Sequence, residues 1–387
     1  MTASLRVLSI GLDDTLLLDR TVARGDAQDR MVRYASEVDK LTCVVYARRS
    51  KHLTARRLAP NLEVIPTNSP TRWALPFDAW RVGMRLARAS PVDVVATQDP
   101  FTTGLVGLGV RRRCGPPVNV QVFTSFLENP AWDASGALHR VMGRIGRWVL
   151  RRADTVRVES ATERDKVLRL GVATDRVWVI PLAVNAARFA ADGRTVRAQL
   201  LGEQGEQLVL YVGRLAPEKD LGTLLRAMQV VHARMPRACL AVVGDGPEGP
   251  RLRRLAGELG LERSVRVAGA VTHEELPRYY AACDVFALSS VYEGIPTVLA
   301  EAALAGRPVV TTRTPNVTDV VEDRVTGLIV PVRAPEALAS AILELLEDPA
   351  RAAAMGRAGR QLVRERYDFE RIYHDVVAMW AATAERR

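Results

Sequence analysis

The sequence predicts an α/β protein built from two parallel-sheet domains, and three observations carry that expectation. Short apolar, β-branched runs alternate with helical segments along the whole chain, as βαβ units require. The chain has 387 residues, long for one domain and sufficient for two that each bury a core. Between Asn185 and Gln207 the alternation lapses into an irregular, polar stretch with Gly193, Gly202 and Gly205, which is where an inter-domain linker belongs.

In the first half the strand candidates are Leu5–Ile10, Leu41–Tyr46, Leu62–Ile65, Val92–Ala96, Val118–Val122, Thr155–Val158 and Val177–Ile180. Trp73–Arg88 and Leu138–Arg152 are basic and amphipathic, with arginines set among Trp, Phe, Leu and Val. These elements make a first domain over 1–186, followed by a linker over 187–206. The second domain, 207–366, opens on the buried strand Leu208–Val212. Gly213 ends that strand, and an amphipathic helix starts at Leu221. Cys239–Ala256 holds another strand, the Gly-rich turn Gly244–Gly249 and a basic helix. A third strand is Val265–Ala268. Val285–Leu288 runs through a polar loop containing Glu293 into an Ala/Leu-rich helix containing Glu301. The last stretch, 367–387, is amphipathic and carries Trp380.

Composition narrows the function classes. Hydrophobic content of 48 % and charged content of 25 % are ordinary for a globular protein. No apolar run approaches a bilayer span, and the N-terminus lacks a secretory pattern. Cys43, Cys114, Cys239 and Cys283 are scattered, which fits buried thiols in a reducing compartment and no zinc site. A cytoplasmic protein is expected. Its net charge of +10 is lopsided: residues 1–190 hold 29 Lys and Arg against 18 Asp and Glu, the remainder 25 against 26. The first half therefore expects an anionic partner, an acidic glycan or a membrane's inner face met peripherally. Nucleic acid is set aside, because no recognition motif accompanies the charge.

Two places in the second half carry chemistry. The loop after Leu208–Val212 holds Arg214 and Lys219 at the carboxyl end of a strand, where doubly wound sheets bind ligands. Lys219 is one of only four lysines beside fifty arginines, so bulk composition does not explain it. The loop and helix after Val285–Leu288 place Glu293 and Glu301 eight positions apart, two carboxylates able to accept hydrogen bonds from adjacent hydroxyls. A lone pair of this kind also fits a helix cap on an ordinary amphipathic helix.

This block resembles the E-x7-E signature of the family 4 retaining glycosyltransferases, which have the GT-B fold: two Rossmann-like domains facing a central cleft, with a C-terminal helix crossing back to the first. The resemblance covers nearly the whole chain, with specific motifs in the second half. It implies that Arg214 and Lys219 bind the diphosphate of a UDP- or GDP-linked sugar, beside Gly213 and Gly244. It places the base near Val267 to Ala270, the ribose on Glu301 and the sugar hydroxyls on Glu293. The turn Gly294, Ile295, Pro296 and Thr297 completes the donor site. Glu293, Arg214 and Lys219 are the implied catalytic set. No Asp-x-Asp occurs, so metal-independent transfer with no cofactor is expected, to a glycan or lipid-linked acceptor. On the acceptor side the resemblance is looser and points to Gly25, Asp99 and Phe123. Phe123 stands where many members have His, and Gly25 is the nearest match to a usual Gly-Gly turn.

Two rivals stay open. A GT-B scaffold that binds a nucleotide or a protein without catalysis gains support from Phe123. A nicotinamide dehydrogenase is suggested by GDGPEG at Gly244–Gly249, but the next strand ends in Gly269 and Ala270 with no carboxylate for a ribose.

Overall fold

A computed structural model describes residues 3–19, 27–129, 132, 134, 136–202, 205–293 and 296–386. The chain divides into two compact units, Met1–Pro181 with Glu370–Arg387, and Leu182–Phe369.

The first unit is built on an eight-stranded sheet. In chain order its strands are β1 (Ala3–Gly11), β2 (Val38–Val45), β3 (Arg56–Ala59), β4 (Leu62–Pro66), β5 (Val94–Thr97), β6 (Val118–Val122), β7 (Thr155–Val158) and β8 (Val177–Val179). Their spatial order is β3-β4-β2-β1-β5-β6-β7-β8, parallel except for β3. Strands β5, β6 and β7 are buried along their whole length, so they read as continuous apolar runs rather than alternating ones. The edge strand β3, Arg-Arg-Leu-Ala, has no apolar run and gave no signal in the sequence.

The last helix, Phe369–Ala384, belongs to this unit. Its Trp380 is 2 % exposed and meets Tyr34 edge-to-face at 5.2 Å. Buried polar groups fix its register: Thr383 shares a 2.6 Å hydrogen bond with Thr155 on β7, and Asn119 on β6 donates to Thr155 at 2.9 Å. Each of these groups would cost free energy if buried alone, so the helix and the sheet specify each other.

The second unit has six parallel strands: β9 (Gln207–Val212), β10 (Ala238–Val243), β11 (Val265–Gly269), β12 (Val285–Leu288), β13 (Val309–Thr312) and β14 (Gly327–Val330). Their order is β11-β10-β9-β12-β13-β14. The chain thus builds outward from β9 to β11, then returns to lay β12 on the other side of β9. That reversal leaves the carboxyl ends of β9 and β12 as the topological switch point of the sheet.

The stretch 187–206, expected as an irregular linker, contains the helix Arg194–Leu201 and packs with the second unit. Leu200 is buried, and Arg197 donates to the Ala282 carbonyl at 2.7 Å and to Asp284 at 2.9 Å. Gly193 lies against backbone, since a Cβ there would sit 2.4 Å from the Ala282 nitrogen. Its glycines and polar residues disguised a helix that is held by packing rather than propensity. No helix among the described residues is long and apolar enough to cross a membrane.

Candidate active site

The loop after β9 and the loop after β12 meet at the switch point. Backbone bonds lace them together: Val291 N–H donates to the Glu218 carbonyl at 2.9 Å, and the Ser289 hydroxyl donates to the Lys219 carbonyl at 2.8 Å. On that base Lys219 donates to both oxygens of Glu293, at 2.7 and 2.8 Å. The side chains are 17 % and 9 % exposed, so the pair is largely withdrawn from water. The Ser290 hydroxyl donates to Glu293 at 2.5 Å and fixes the carboxylate from its own loop. Arg214 is mostly exposed and pairs with Glu218, four residues on.

Beneath these charges lies Tyr211, the last aromatic of β9, whose hydroxyl donates to the Arg214 carbonyl at 3.1 Å. Burial, and then the negative charges of Glu293 and Glu218, push its phenol well above the ordinary value. It is therefore a neutral hydrogen-bond donor at the floor of the site.

Two glycines let the loops approach. A Cβ on Gly244 would lie 1.9 Å from the Gly213 carbonyl oxygen, and one on Gly246 would lie 2.4 Å from that of Leu215. The turn after β10 rests directly on the Gly213–Leu215 backbone, with Leu215 N–H donating to the Asp245 carbonyl at 2.9 Å. Gly244 N–H in turn donates to Gly269, at the end of β11, at 2.8 Å. The GDGPEG spelling is thus accounted for by loop-on-loop contact. Val267 is half-buried and Ala270 exposed, on the edge beyond this turn.

Pro296 precedes the helix Thr297–Leu304, whose first turn opens at the same end of β12. Glu301 lies within that helix, 8 % exposed, and accepts a 2.7 Å hydrogen bond from the fully buried Tyr280. Burial, and then the Glu301 charge, hold the Tyr280 phenol far above its usual value. Gly294 and Ile295 lie outside the described residues.

The structure therefore brings Lys219 and Glu293 into contact and holds Arg214 on the same loop, beside Gly213 and Gly244. Sequence reasoning missed Tyr211, Glu218, Ser290 and Tyr280. Only Glu218, at the i+4 position from Arg214, carried a spacing signal; the tyrosines sit inside buried runs that read as core.

In the first unit, Gly25 lies outside the described residues. Asp99 is buried and spends its carboxylate on the start of the helix Thr102–Cys114, accepting from Phe101 N–H at 2.6 Å and Thr103 N–H at 3.3 Å. Burial nonetheless raises its pKa, with those bonds opposing. Phe123 follows β6, and the Arg157 guanidinium lies 5.4 Å from its ring. Arg157 is 1 % exposed and donates to the carbonyls of Ile180 (2.9 Å) and Pro181 (2.7 Å) and to Gln121 (3.1 Å). Next to it, burial pushes the Glu159 carboxyl up to about 7, and its Oε1 has no hydrogen-bond partner.

Residues 193–362 match the family model described as glycosyl transferases group 1, and residues 31–188 match that of glycosyltransferase family 4. The chain is 31 % identical over 306 residues to a D-inositol 3-phosphate glycosyltransferase of Saccharomonospora viridis, covering 73 % of this chain and 70 % of that protein. It is 34 % identical over 242 residues to a GDP-mannose-dependent alpha-(1-6)-phosphatidylinositol monomannoside mannosyltransferase of Mycobacterium tuberculosis, covering 58 % and 62 %. With the Mycolicibacterium smegmatis protein of the same name the match spans 50 % of its length. The chain thus spans half to three fifths of these mannosyltransferases. Among solved structures, a sucrose-phosphate synthase of Thermosynechococcus elongatus superposes with a TM-score of 0.81 at 24 % identity, over 97 % of this chain and 98 % of that one. Anabaena HepE in complex with UDP and glucose gives 0.78 at 18 % identity, over 98 % and 100 %. These two carry the fold alone, which is GT-B.

Proposed function

The chain belongs to the family 4 glycosyltransferases, and from that premise we propose that it moves a sugar from a UDP- or GDP-linked donor to a lipid-linked or glycan acceptor, with retention and without a metal. The observation that carries this is the Lys219–Glu293 contact at the β9/β12 switch point, with Arg214 on the same loop. It puts cationic groups for a diphosphate and a carboxylate for sugar hydroxyls within one side chain's reach of each other.

Transfer breaks the bond between the anomeric carbon and the donor phosphate oxygen, which leaves with the electron pair. Lys219 and Arg214 stabilise the charge that accumulates on the diphosphate, as a metal does in other transferases. Backbone N–H groups at the start of the helix Thr297–Leu304 add to this. Glu293, steadied by Ser290, accepts hydrogen bonds from the sugar hydroxyls and fixes the anomeric carbon against the acceptor. Glu301, oriented by Tyr280, holds the ribose. The acceptor oxygen attacks from the side the phosphate leaves, and its proton passes to the departing phosphate oxygen. No protein base is required for that transfer.

In the reading proposed, the first unit binds the acceptor in the cytoplasm, peripherally on an anionic membrane face. Relatives named for phosphatidylinositol mannoside and inositol phosphate support acceptors that carry phosphate. A second reading, a GT-B scaffold that binds a nucleotide without transferring sugar, is favoured by Phe123 packed under Arg157. Calorimetry with UDP and GDP, with and without chelator, tests the donor site: binding is expected in both conditions, and strict dependence on Mg²⁺ or Mn²⁺ would overturn metal independence. Nucleotide release from a panel of nucleotide sugars separates the enzyme from the silent scaffold.

A further inference from the structure

At the amino ends of β6, β7 and β8, opposite the carboxyl ends where Asp99 and Phe123 lie, arginines converge on an open cavity of about 700 Å³. Arg111 and Arg112 come from the last turn of the helix Thr102–Cys114. Arg151 and Arg152 follow the helix Ala137–Leu150, Arg176 precedes β8, and Arg386 follows the last helix, Phe369–Ala384. Four separate segments thus deliver positive charge to one concavity.

Mutual repulsion disfavours such a cluster unless something holds it. Carbonyl oxygens do much of the holding. Arg111 donates to the Arg152 carbonyl at 2.8 Å, Arg151 to that of Leu170 at 3.0 Å, and Arg176 to that of Ala153. The Arg152 guanidinium stacks 4.1 Å from the ring of Trp148, itself 45 % exposed at the rim. Carbonyls and a ring fix position without cancelling charge. The one lining carboxylate, Asp154, pairs with Arg111 at 3.1 Å and also accepts the Val118 N–H at 2.8 Å. Asp175 pairs with Arg386. Arg112, Arg151 and Arg152 have no ion-pair partner among the described residues, and Arg176 meets Asp175 through charge alone, without a hydrogen bond between them. A need to offset helix dipoles accounts for charge at the ends of two helices, Arg112 included, but not for Arg176 before β8; the Arg112 side chain has neither a hydrogen-bond nor an ion-pair partner among the described residues.

We infer that this cavity is a binding site for a phosphate group of two or more charges, separate from the donor site and assigned to no step of the transfer. Guanidinium forks match phosphate oxygens bidentately, and pre-positioned forks lose little freedom when they bind. The phosphate is either that of a lipid headgroup or that of a small soluble molecule, and the chemistry is shared.

The test uses the full chain and inorganic pyrophosphate, followed by calorimetry at low and high salt. Arg112→Ala with Arg152→Ala is one variant, and Arg214→Ala with Lys219→Ala is the other; circular dichroism checks that each folds. Wild type is expected to bind pyrophosphate in a salt-sensitive event that weakens at least tenfold in the Arg112/Arg152 variant and survives in the Arg214/Lys219 variant. Co-sedimentation with phosphatidic acid or phosphatidylcholine vesicles identifies the source. Phosphatidic acid binding that needs Arg112 and Arg152 assigns a headgroup, whereas pyrophosphate binding with vesicles indifferent to the pair assigns a soluble ligand. Binding that ignores Arg112 and Arg152, or follows only Arg214 and Lys219, overturns the site. So does binding to neither probe. Because the two variants are read separately, loss of the donor site leaves this result interpretable.

Discussion

At the carboxyl ends of the second unit's sheet, the loops after β9 and β12 pair their charges with one another, Lys219 with Glu293 and Arg214 with Glu218. At the carboxyl ends of β6 and β7 in the first unit, the buried charge is tied in part to the backbone instead. Arg157, over the Phe123 ring, is tied to backbone carbonyls, and Lys166 donates to Glu163 at 2.7 Å and Ser125 at 3.0 Å. Both units are parallel sheets with helical crossovers, so architecture does not make the difference. Gly213, Gly244 and Gly246 let the second unit's loops close on each other and leave long side chains at the rim. In the first unit the buried Arg157 lies against the Phe123 ring. A side-chain pair that a ligand can open suits binding, whereas a network satisfied by backbone suits support.

The sharpest way to break that contrast is Glu293→Ala. Sugar transfer is expected to disappear, while nucleotide affinity holds or tightens because Lys219 loses its internal counter-ion and is left to the diphosphate. Turnover assays beside calorimetry separate the two effects, and full turnover in this variant means the sugar contacts are misassigned. Lys219→Ala and Glu301→Ala act on nucleotide affinity itself. Losing a charge-assisted hydrogen bond costs about 1.5–3 kcal/mol, roughly one to two decades in Kd.

The same contrast explains what the sequence made legible. Strands β6, β7 and β12 were readable to the residue because full burial leaves an unbroken apolar run. The placement of Arg214, Lys219 and Glu293 at strand ends was readable because charged residues beside a buried strand need a reason, whereas the roles expected of them and of Glu301 came from the family resemblance. Tyr211 and Tyr280 were not, since a tyrosine in an apolar run reads as core until its hydroxyl's partner is seen. The helix Arg194–Leu201 was hidden because its contacts are to a backbone some eighty residues away. Nor could spacing show that Asp99 caps a helix, or that Arg157 reaches the carbonyls after β8.

Glu159 tests the buried side of the comparison through pH. Its carboxyl is raised from 4.5 to about 7, first by burial, with Arg157 and Arg30 opposing. Below the unfolded value the group is protonated in both states and costs nothing. Between about 4.5 and 7 the unfolded chain releases a proton that the folded chain keeps, so stability falls as pH rises, then levels off. Glu159→Gln keeps the shape and removes the ionisation. Melting curves of the variant should lose this pH dependence and show a gain on the order of 3 kcal/mol at neutral pH. An unchanged pH profile would mean the carboxyl is ionised and solvated in the fold.

The smallest effects belong to the outer surface of the first unit. On the helix Leu75–Ala89, Ala79, Gly83 and Met84 face the core, while Phe77 is 57 % exposed and, just before the helix, Trp73 is 73 % exposed. Arg81 lies 5.9 Å from the Phe77 ring, and Arg85 and Arg88 are exposed beside it. Exposed aromatics among arginines suit an interface where rings enter the headgroup layer and guanidinium groups meet phosphate. Each basic residue there is worth about 1 kcal/mol, screened within a Debye length of ~10 Å at 0.1 M salt. Co-sedimentation with anionic vesicles at low salt should therefore weaken about fivefold for Arg81→Gln and again for Arg85→Gln, and collapse for wild type at high salt. Phe77→Ser should weaken binding at both salt levels, because the ring's contribution is burial rather than charge. Binding that is equal for neutral and anionic vesicles, or absent from both, would assign a soluble acceptor to the first unit. The arginines of the helix Leu75–Ala89 would then be a solvated face, with the proposed donor residues of the second unit untouched by the result.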